Sequence, residues 1–108
     1  MTLRVAKHYT NELKKQKEKV HLLSLEGLTV WERGEELLKI EQDLLIPSEK
    51  FIFIMPEYNG SFPGILKLLI DNTDIRRCWW YKKAMMTGVA DGRGGNLRGM
   101  EHFTGVLN

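Results

Sequence analysis

The sequence has few of the residues that define several classes of protein. It contains one cysteine in 108 residues, Cys78, so it cannot form an intramolecular disulfide or a cysteine-rich zinc site. Its three histidines are isolated from one another and from other ligand-type residues, and they give no metal-ligand spacing. No apolar run approaches the roughly 20 residues that a membrane-spanning helix needs. No secretory signal opens the chain. These absences argue against a disulfide-stabilised, zinc-binding or membrane-spanning protein.

Neither sign of charge dominates the chain. There are 16 Lys and Arg residues against 14 Asp and Glu, and the formal net charge is only +2. That balance gives no support to nucleic-acid binding. A hydrophobic content of 43% allows a core, and 28% charged residues suit a surface exposed to water. We therefore expect one small domain over residues 1–108, with a cytoplasmic location and no nucleic-acid or membrane partner.

The most informative stretch, residues 50–67, reads KFIFIMPEYNGSFPGILK. It begins with an apolar run at residues 51–55, whose aromatic and β-branched content favours a strand buried on both faces. Pro56 ends that run because it cannot donate to a sheet ladder. A polar loop follows, and Pro63 opens a predicted helix. The loop therefore follows the carboxyl end of a strand, where open α/β sheets bind their ligands.

A second strand, loop and helix follow the first. Residues 83–89 are a strand candidate, a glycine-rich loop comes next, and a helix is predicted from Asn96 to Leu107 with an apolar face at Leu97, Met100, Phe103 and Leu107. Glycines permit close approach of the backbone to a ligand, or positive φ angles. By itself the loop is equally compatible with a tight turn. It is not a P-loop, because the lysine and Ser/Thr positions are absent.

The remaining segments predict further elements. We expect a helix over residues 2–19, a short strand over residues 20–25 and a short helix over residues 35–42. Cys78 is interpreted as a small structural side chain or a semi-exposed thiol rather than as a redox-catalytic residue. A basic and aromatic cluster follows the helix predicted after Pro63, namely Arg76, Arg77, Trp79, Trp80 and Tyr81. Such a cluster can stack nucleic-acid bases. The favoured interpretation is that its aromatic residues cover a sheet edge or a subunit contact.

Two loops carry a resemblance to a known family. The first, Pro56-Glu57-Tyr58-Asn59-Gly60-Ser61 followed by Pro63-Gly64 and Leu66-Lys67, resembles the second flavin loop of the NADPH-dependent FMN reductases. That family includes quinone, azo-dye and chromate reductases. The glycine-rich loop, Asp91-Gly92-Arg93-Gly94-Gly95, lies one strand–helix unit later and resembles the third flavin loop. The resemblance implies a flavodoxin-like α/β fold, with three α/β/α layers around a parallel sheet, present here as an incomplete portion.

The resemblance also implies an activity. NAD(P)H would reduce bound FMN, and the reduced flavin would pass electrons to a quinone-like or other small acceptor. The cofactor contacts would come from Pro56, Glu57, Tyr58, Asn59, Gly60, Asp91, Gly92, Arg93, Gly94 and Gly95. No residue is assigned as a general acid or base, or as a metal ligand. The alternative is a flavodoxin-like binding or electron-transfer module, or a truncated derivative, without catalysis.

Family members are commonly dimers or tetramers, which implies a homodimer or homotetramer here. Large apolar residues at five positions predict a surface that favours association, namely Trp31, Leu44, Leu45, Trp79 and Trp80. The chain also departs from the family pattern, which begins with a strand and a loop that holds the FMN phosphate and ends with a further strand and helix. We therefore expect a gap or an altered pairing in the sheet, and weak FMN binding by this chain alone.

Overall fold

A computed structural model describes residues 2–56, 63–90 and 96–108. Both predicted flavin loops, apart from Pro56 and Pro63, lie outside these ranges. In chain order the elements are helix α1 (Thr2–Lys15), helix α2 (Glu35–Ile40), a π-helical segment (Glu41–Leu45), strand β1 (Lys50–Pro56), helix α3 (Gly64–Asp71), helix α4 (Ile75–Cys78), strand β2 (Lys83–Val89) and helix α5 (Leu97–Leu107).

The two strands form a parallel sheet. Their register runs from Lys50 beside Lys83 to Pro56 beside Val89. A parallel pair needs a crossover connection, which α3 and α4 supply here. The sheet and its helices confirm the predicted α/β class, and the strands predicted at residues 51–55 and 83–89 are the two described strands.

Helices cover both faces of the sheet. Thr87 donates a hydrogen bond from Oγ1 to the Tyr9 hydroxyl, at 3.2 Å, so α1 lies on the face that carries Thr87. Met86, the residue before Thr87 in β2, points to the opposite face. Its Sδ accepts a hydrogen bond from Thr104 Oγ1 of α5. Phe103 of α5 also packs edge-on against Phe53, with ring centroids 4.9 Å apart. The chain therefore has the predicted three-layer α/β/α arrangement.

The prediction that β1 is buried on both faces was wrong. Phe53 and Met55 are buried on the α5 side, whereas Ile52 on the α1 side is 39% exposed. Ile54 on that side is half-buried. The difference arises because α1 is the described helix on that face and shields only part of it.

Helix α1 ends at Lys15, four residues before the predicted end. Lys17 has a φ of 63°, and the N–H groups of Lys17 and Glu18 donate to the carbonyls of Lys14 and Leu13. This is a Schellman cap, in which a left-handed residue stops the helix. Glycine usually occupies that position, so the lysine gave no sequence signal for the end of the helix.

The predicted strand over residues 20–25 does not form. This segment has no regular structure, and its side chains are exposed or half-buried. A strand needs a neighbour to complete its hydrogen bonds, and no described strand lies beside this segment.

One core joins most of the remaining elements. Its buried members include residues from the loop before α2 through α5, namely Val30, Leu37, Leu45, Phe53, Met55, Leu66, Leu69, Ile70, Cys78 and Phe103. Leu45 was expected on the surface and is buried, because the π-helical segment directs it inward after α2. Leu97 was expected in the apolar face of α5 but is exposed at the first residue of that helix.

Candidate functional site

The carboxyl ends of the two strands bring both predicted loops to one edge. Pro56 and Val89 are direct partners at the ends of β1 and β2. The first loop begins immediately after Pro56, and the glycine-rich loop begins after Ala90. The two strand ends after which these loops begin therefore lie side by side. Of the predicted site residues, the structure describes Pro56, and the other nine lie outside the described ranges.

Helices α3 and α5 begin at this same edge. Asn96, just before α5, contacts Met55 near the carboxyl end of β1, whereas Val106 near the end of α5 lies beside Ala84 at the amino end of β2. Ile70 near the end of α3 likewise shares a cavity wall with Phe51. Both helices therefore run back along the sheet, with their N-termini at the loop edge. The first N–H groups of a helix lack intrahelical acceptors and carry partial positive charge, which suits an electron-rich ligand.

Asn96 lies just before α5, and the sequence assigned it no role beyond the start of that helix. It has a left-handed backbone, with φ 67° and ψ 31°, and its side chain is buried. Its Nδ2 donates to the carbonyl oxygen of Met55 at 3.0 Å. Its Oδ1 is buried and has no hydrogen-bond partner in the part of the chain that the structure describes. A buried acceptor thus stands at the edge where the loops leave the sheet. A signal existed, because asparagine tolerates the left-handed region better than most residues.

A buried ion pair lies at the opposite end of the molecule. Glu41 accepts two hydrogen bonds from the Arg33 guanidinium, both at 2.8 Å, and a third from the backbone N–H of Asp74 at 2.9 Å. The bonds from Arg33 hold the pKa of Glu41 below its usual range, although burial opposes them. Arg33 also donates to the carbonyl oxygen of Asn72, so the pair fastens the loop before α2 to the turn after α3.

Cys78 is chemically quiet. Its side chain is fully buried in the core, and burial raises the pKa of its thiol to about 11. The thiolate is the reactive form of cysteine, so this thiol is unreactive near neutral pH. It also lies at the end of α4, away from the loop edge. These observations agree with the structural interpretation of Cys78.

The described residues show no metal centre and no membrane span. Within residues 2–56, 63–90 and 96–108, no group of three or more His, Cys, Asp or Glu side chains is arranged to hold a metal ion. In those same ranges no helix has the length and apolar character needed to cross a bilayer.

The sheet, with two adjacent strand ends and two helix N-termini at its carboxyl edge, has the layout of a ligand-binding α/β protein. A family model, described as NADPH-dependent FMN reductase, matches residues 1–108. The chain belongs to that family, which confirms the family suggested by the sequence, and the flavin contacts assigned to the two loops stay predictions. Searches of curated proteins and of solved structures each found no match.

The described part of the site fits a flavin. The isoalloxazine ring is electron-poor, but its carbonyl oxygens and ring nitrogens accept hydrogen bonds and its N3–H donates one. The helix N-termini offer N–H donors, and Asn96 Oδ1 is an acceptor with no described partner.

Proposed function

We propose that the protein is an NAD(P)H-dependent FMN oxidoreductase that reduces a quinone-like or other small acceptor. Family membership supports the flavin and the reductase chemistry. The observation that carries the proposal is the pairing of Pro56 with Val89, because it sets the two flavin-loop motifs on adjacent strand ends. When bound, FMN supplies the electron chemistry, accepting hydride from the nicotinamide and giving electrons to the acceptor.

The protein's own residues bind and orient the flavin. We assign Tyr58 to packing against the ring, and Asn59 to a side-chain hydrogen bond with the ring or ribityl chain. Backbone groups of residues 57–60 supply further hydrogen bonds. The glycines of residues 91–95 allow the second loop to approach closely. Glu57 and Asp91 have no assigned proton to move, so we give neither a role as general acid or base.

The first test is equilibrium binding of FMN to the wild type and to Tyr58→Ala/Asn59→Ala. Loss of one or two ligand hydrogen bonds and a ring contact, at about 1 kcal/mol each, should weaken binding by at least tenfold. Tyr81→Ala is the matched control, since Tyr81 is a fully exposed tyrosine at the other end of the sheet. An unchanged FMN dissociation constant in the double variant would remove the first loop from the site.

The same preparation distinguishes the enzyme from a binding or electron-transfer module. The enzyme should oxidise NADPH in the presence of FMN and a quinone. A module should bind FMN saturably yet leave NADPH unoxidised when the quinone is added. The second result would overturn the proposed reaction and leave the flavin assignment standing.

We also propose a homodimer or homotetramer. Trp31 and Leu38 are exposed near α2, and large apolar side chains in water favour association. Sedimentation at micromolar protein should show a species larger than a monomer, and monomer alone would refute the proposal. The cytoplasmic location and the single domain over residues 1–108 stay predictions.

A further inference from the structure

A cavity of about 470 Å³ opens at the amino end of the sheet. It lies beneath α4 and the last turn of α5, with Phe51 and Ala84 at its base. The flavin loops follow the other ends of the same strands, and Phe53, the lining residue furthest along β1, is three residues, roughly 10 Å at about 3.3 Å per residue, from Pro56. The volume lies in the range of about 300–1,000 Å³ that is typical of small-molecule sites. The cavity is therefore large enough for a ligand and separate from the flavin loops.

Aromatic rings form one wall of the cavity. The rings of Phe51 and Trp79 have centroids 4.8 Å apart, and Phe53 lies 6.0 Å from Trp79. The indole N–H of Trp79 donates to Thr73 Oγ1 at 2.8 Å, which fixes the indole in place. Ile75 and Val106 add apolar surface. A rigid aromatic wall of this kind suits a flat apolar ring system, which can stack or pack edge-on.

A lysine supplies positive charge inside this apolar wall. Lys82 Nζ lies 5.5 Å from the centroid of the Phe51 ring and donates to the carbonyl oxygens of Leu45 and Ile46, at 2.8 and 3.0 Å. An ammonium group has three N–H donors, so these bonds leave one. Burial lowers the pKa of Lys82, and an anion would offset that cost. Among the described lining residues the charged side chains are Lys82 and Lys83, so the cavity favours a negative group.

The rim of the cavity holds two exposed aromatic residues. Trp80 and Tyr81 are both exposed and meet edge-on, with ring centroids 6.3 Å apart. Tyr81 has a φ of 60°, in the left-handed region that a tyrosine rarely adopts. The Arg76 guanidinium lies 5.2 Å from the centre of the Trp80 ring and adds a further positive charge.

We propose that this cavity is a second binding site, for a planar aromatic molecule that carries one carboxylate or sulfonate group. The rings pack against Phe51 and Trp79, and the acidic group accepts the remaining N–H of Lys82. The site does not depend on the flavin loops or on the proposed reductase activity.

The test is calorimetric titration of the full chain with 2-naphthoate and, separately, with its neutral analogue 2-naphthylmethanol. A charge-assisted hydrogen bond predicts that naphthoate binds about tenfold more tightly or better. In the ¹⁵N spectrum of tryptophan side chains, the Trp79 indole signal should shift, and that of Trp31, which does not line the cavity, should not. Equal affinity for the two compounds, or no binding at millimolar naphthoate, would overturn the proposal.

Two variants locate the bound ring and the charge. Ile75→Trp fills the cavity and should abolish naphthoate binding, whereas Leu97→Trp, at an exposed apolar residue outside the cavity, should leave it unchanged. Lys82→Met should remove the preference for naphthoate over naphthylmethanol. A purely structural loss would weaken the binding of both compounds and leave the ratio of their affinities unchanged. Full binding by Ile75→Trp, or a preserved ratio in Lys82→Met, would refute the assignment.

Two further outcomes bear on the independence of the site. Naphthoate binding that is unchanged by saturating FMN supports two separate sites. Competition between naphthoate and FMN would place the aromatic acid in the flavin site and overturn the proposal. Apparent affinity that falls as protein concentration rises would show that a second copy of the chain covers the cavity, and would also overturn it.

Discussion

Arg33 should be among the most important charged residues for stability. Its two hydrogen bonds to Glu41 satisfy a carboxylate that is only 3% exposed, and a third bond reaches the carbonyl of Asn72. Replacing it by methionine keeps much of the side-chain length and removes all three bonds. Glu41 would then keep one described hydrogen bond, from the Asp74 N–H.

The expected cost follows from the burial of the two partners. Removing one partner of a fully buried pair costs about 3–5 kcal/mol. The Arg33 side chain is 44% exposed, so water screens part of the interaction, and we expect Arg33→Met to lose about 2 kcal/mol. Glu41→Gln retains the shape and an acceptor for the Asp74 N–H, and should lose about 1 kcal/mol.

Urea denaturation near neutral pH measures these changes. The matched control is Lys15→Met, which breaks an exposed pair between Lys15 and Glu12, whose side chains are 73% and 48% exposed. Exposed pairs contribute about 0–1 kcal/mol, so this control should stay within about 0.5 kcal/mol of the wild type. If Arg33→Met matches Lys15→Met, the buried pair does not stabilise the fold as we argue.

The pH dependence gives an independent check. The pKa of Glu41 is held below its ordinary 4.5 in the folded state, chiefly by the Arg33 bonds. A lowered folded pKa stabilises the protein above pH 4.5, and that stabilisation is lost as pH falls through the folded pKa. Arg33→Met removes the hydrogen bonds that chiefly lower the pKa of Glu41, and it leaves the burial that raises this pKa. The deficit of the variant should therefore shrink as pH falls below 4.5, and a constant deficit would contradict this reasoning.

Three other changes follow from particular residues. Lys17→Gly should raise the free energy of unfolding by about 1 kcal/mol, which corresponds to roughly 4–8 °C in Tm. The reason is that glycine adopts the left-handed cap conformation without a steric penalty. An unchanged Tm would contradict the strain at Lys17. Cys78 should resist a thiol reagent in the native protein at neutral pH and react after unfolding, and fast native labelling would contradict its burial. Gly94→Val and Gly95→Val should each weaken FMN binding, because a Cβ blocks close approach of a ligand, and normal flavin spectra and turnover in both would remove the glycine-rich loop from the site.

The sequence predicted the elements whose signal is local. The apolar runs of β1 and β2, and the helix-spaced residues of α5, appear where they were expected. Phe53 and Met55 of β1 and Phe103 of α5 are buried, whereas β2 has no buried residue and joins the sheet through its hydrogen-bonded pairing with β1. The strand predicted at residues 20–25 was wrong for a non-local reason, because a strand depends on a partner strand that no pattern within the segment reveals. The end of α1 was missed because Lys17 occupies a position that glycine normally marks.

The candidate site was predicted in part. The order of the two loop motifs located the edge of the sheet correctly, because the ends of adjacent parallel strands must meet there. Asn96 lies at this edge through a contact with Met55, which comes from a distant part of the chain. The pair of Arg33 and Glu41 is likewise a tertiary contact, and neither residue stood out in the sequence.

The most direct measurement is an anaerobic titration of the FMN-loaded protein with NADPH, followed by flavin absorbance. We predict that the bound flavin bleaches in proportion to added NADPH, and that its colour returns when a quinone is added. Tyr58→Ala/Asn59→Ala, mixed with the same total FMN, should retain much less bound flavin to bleach, whereas Tyr81→Ala should behave as the wild type. Bound flavin that keeps its absorbance in excess NADPH would contradict the proposed reductase.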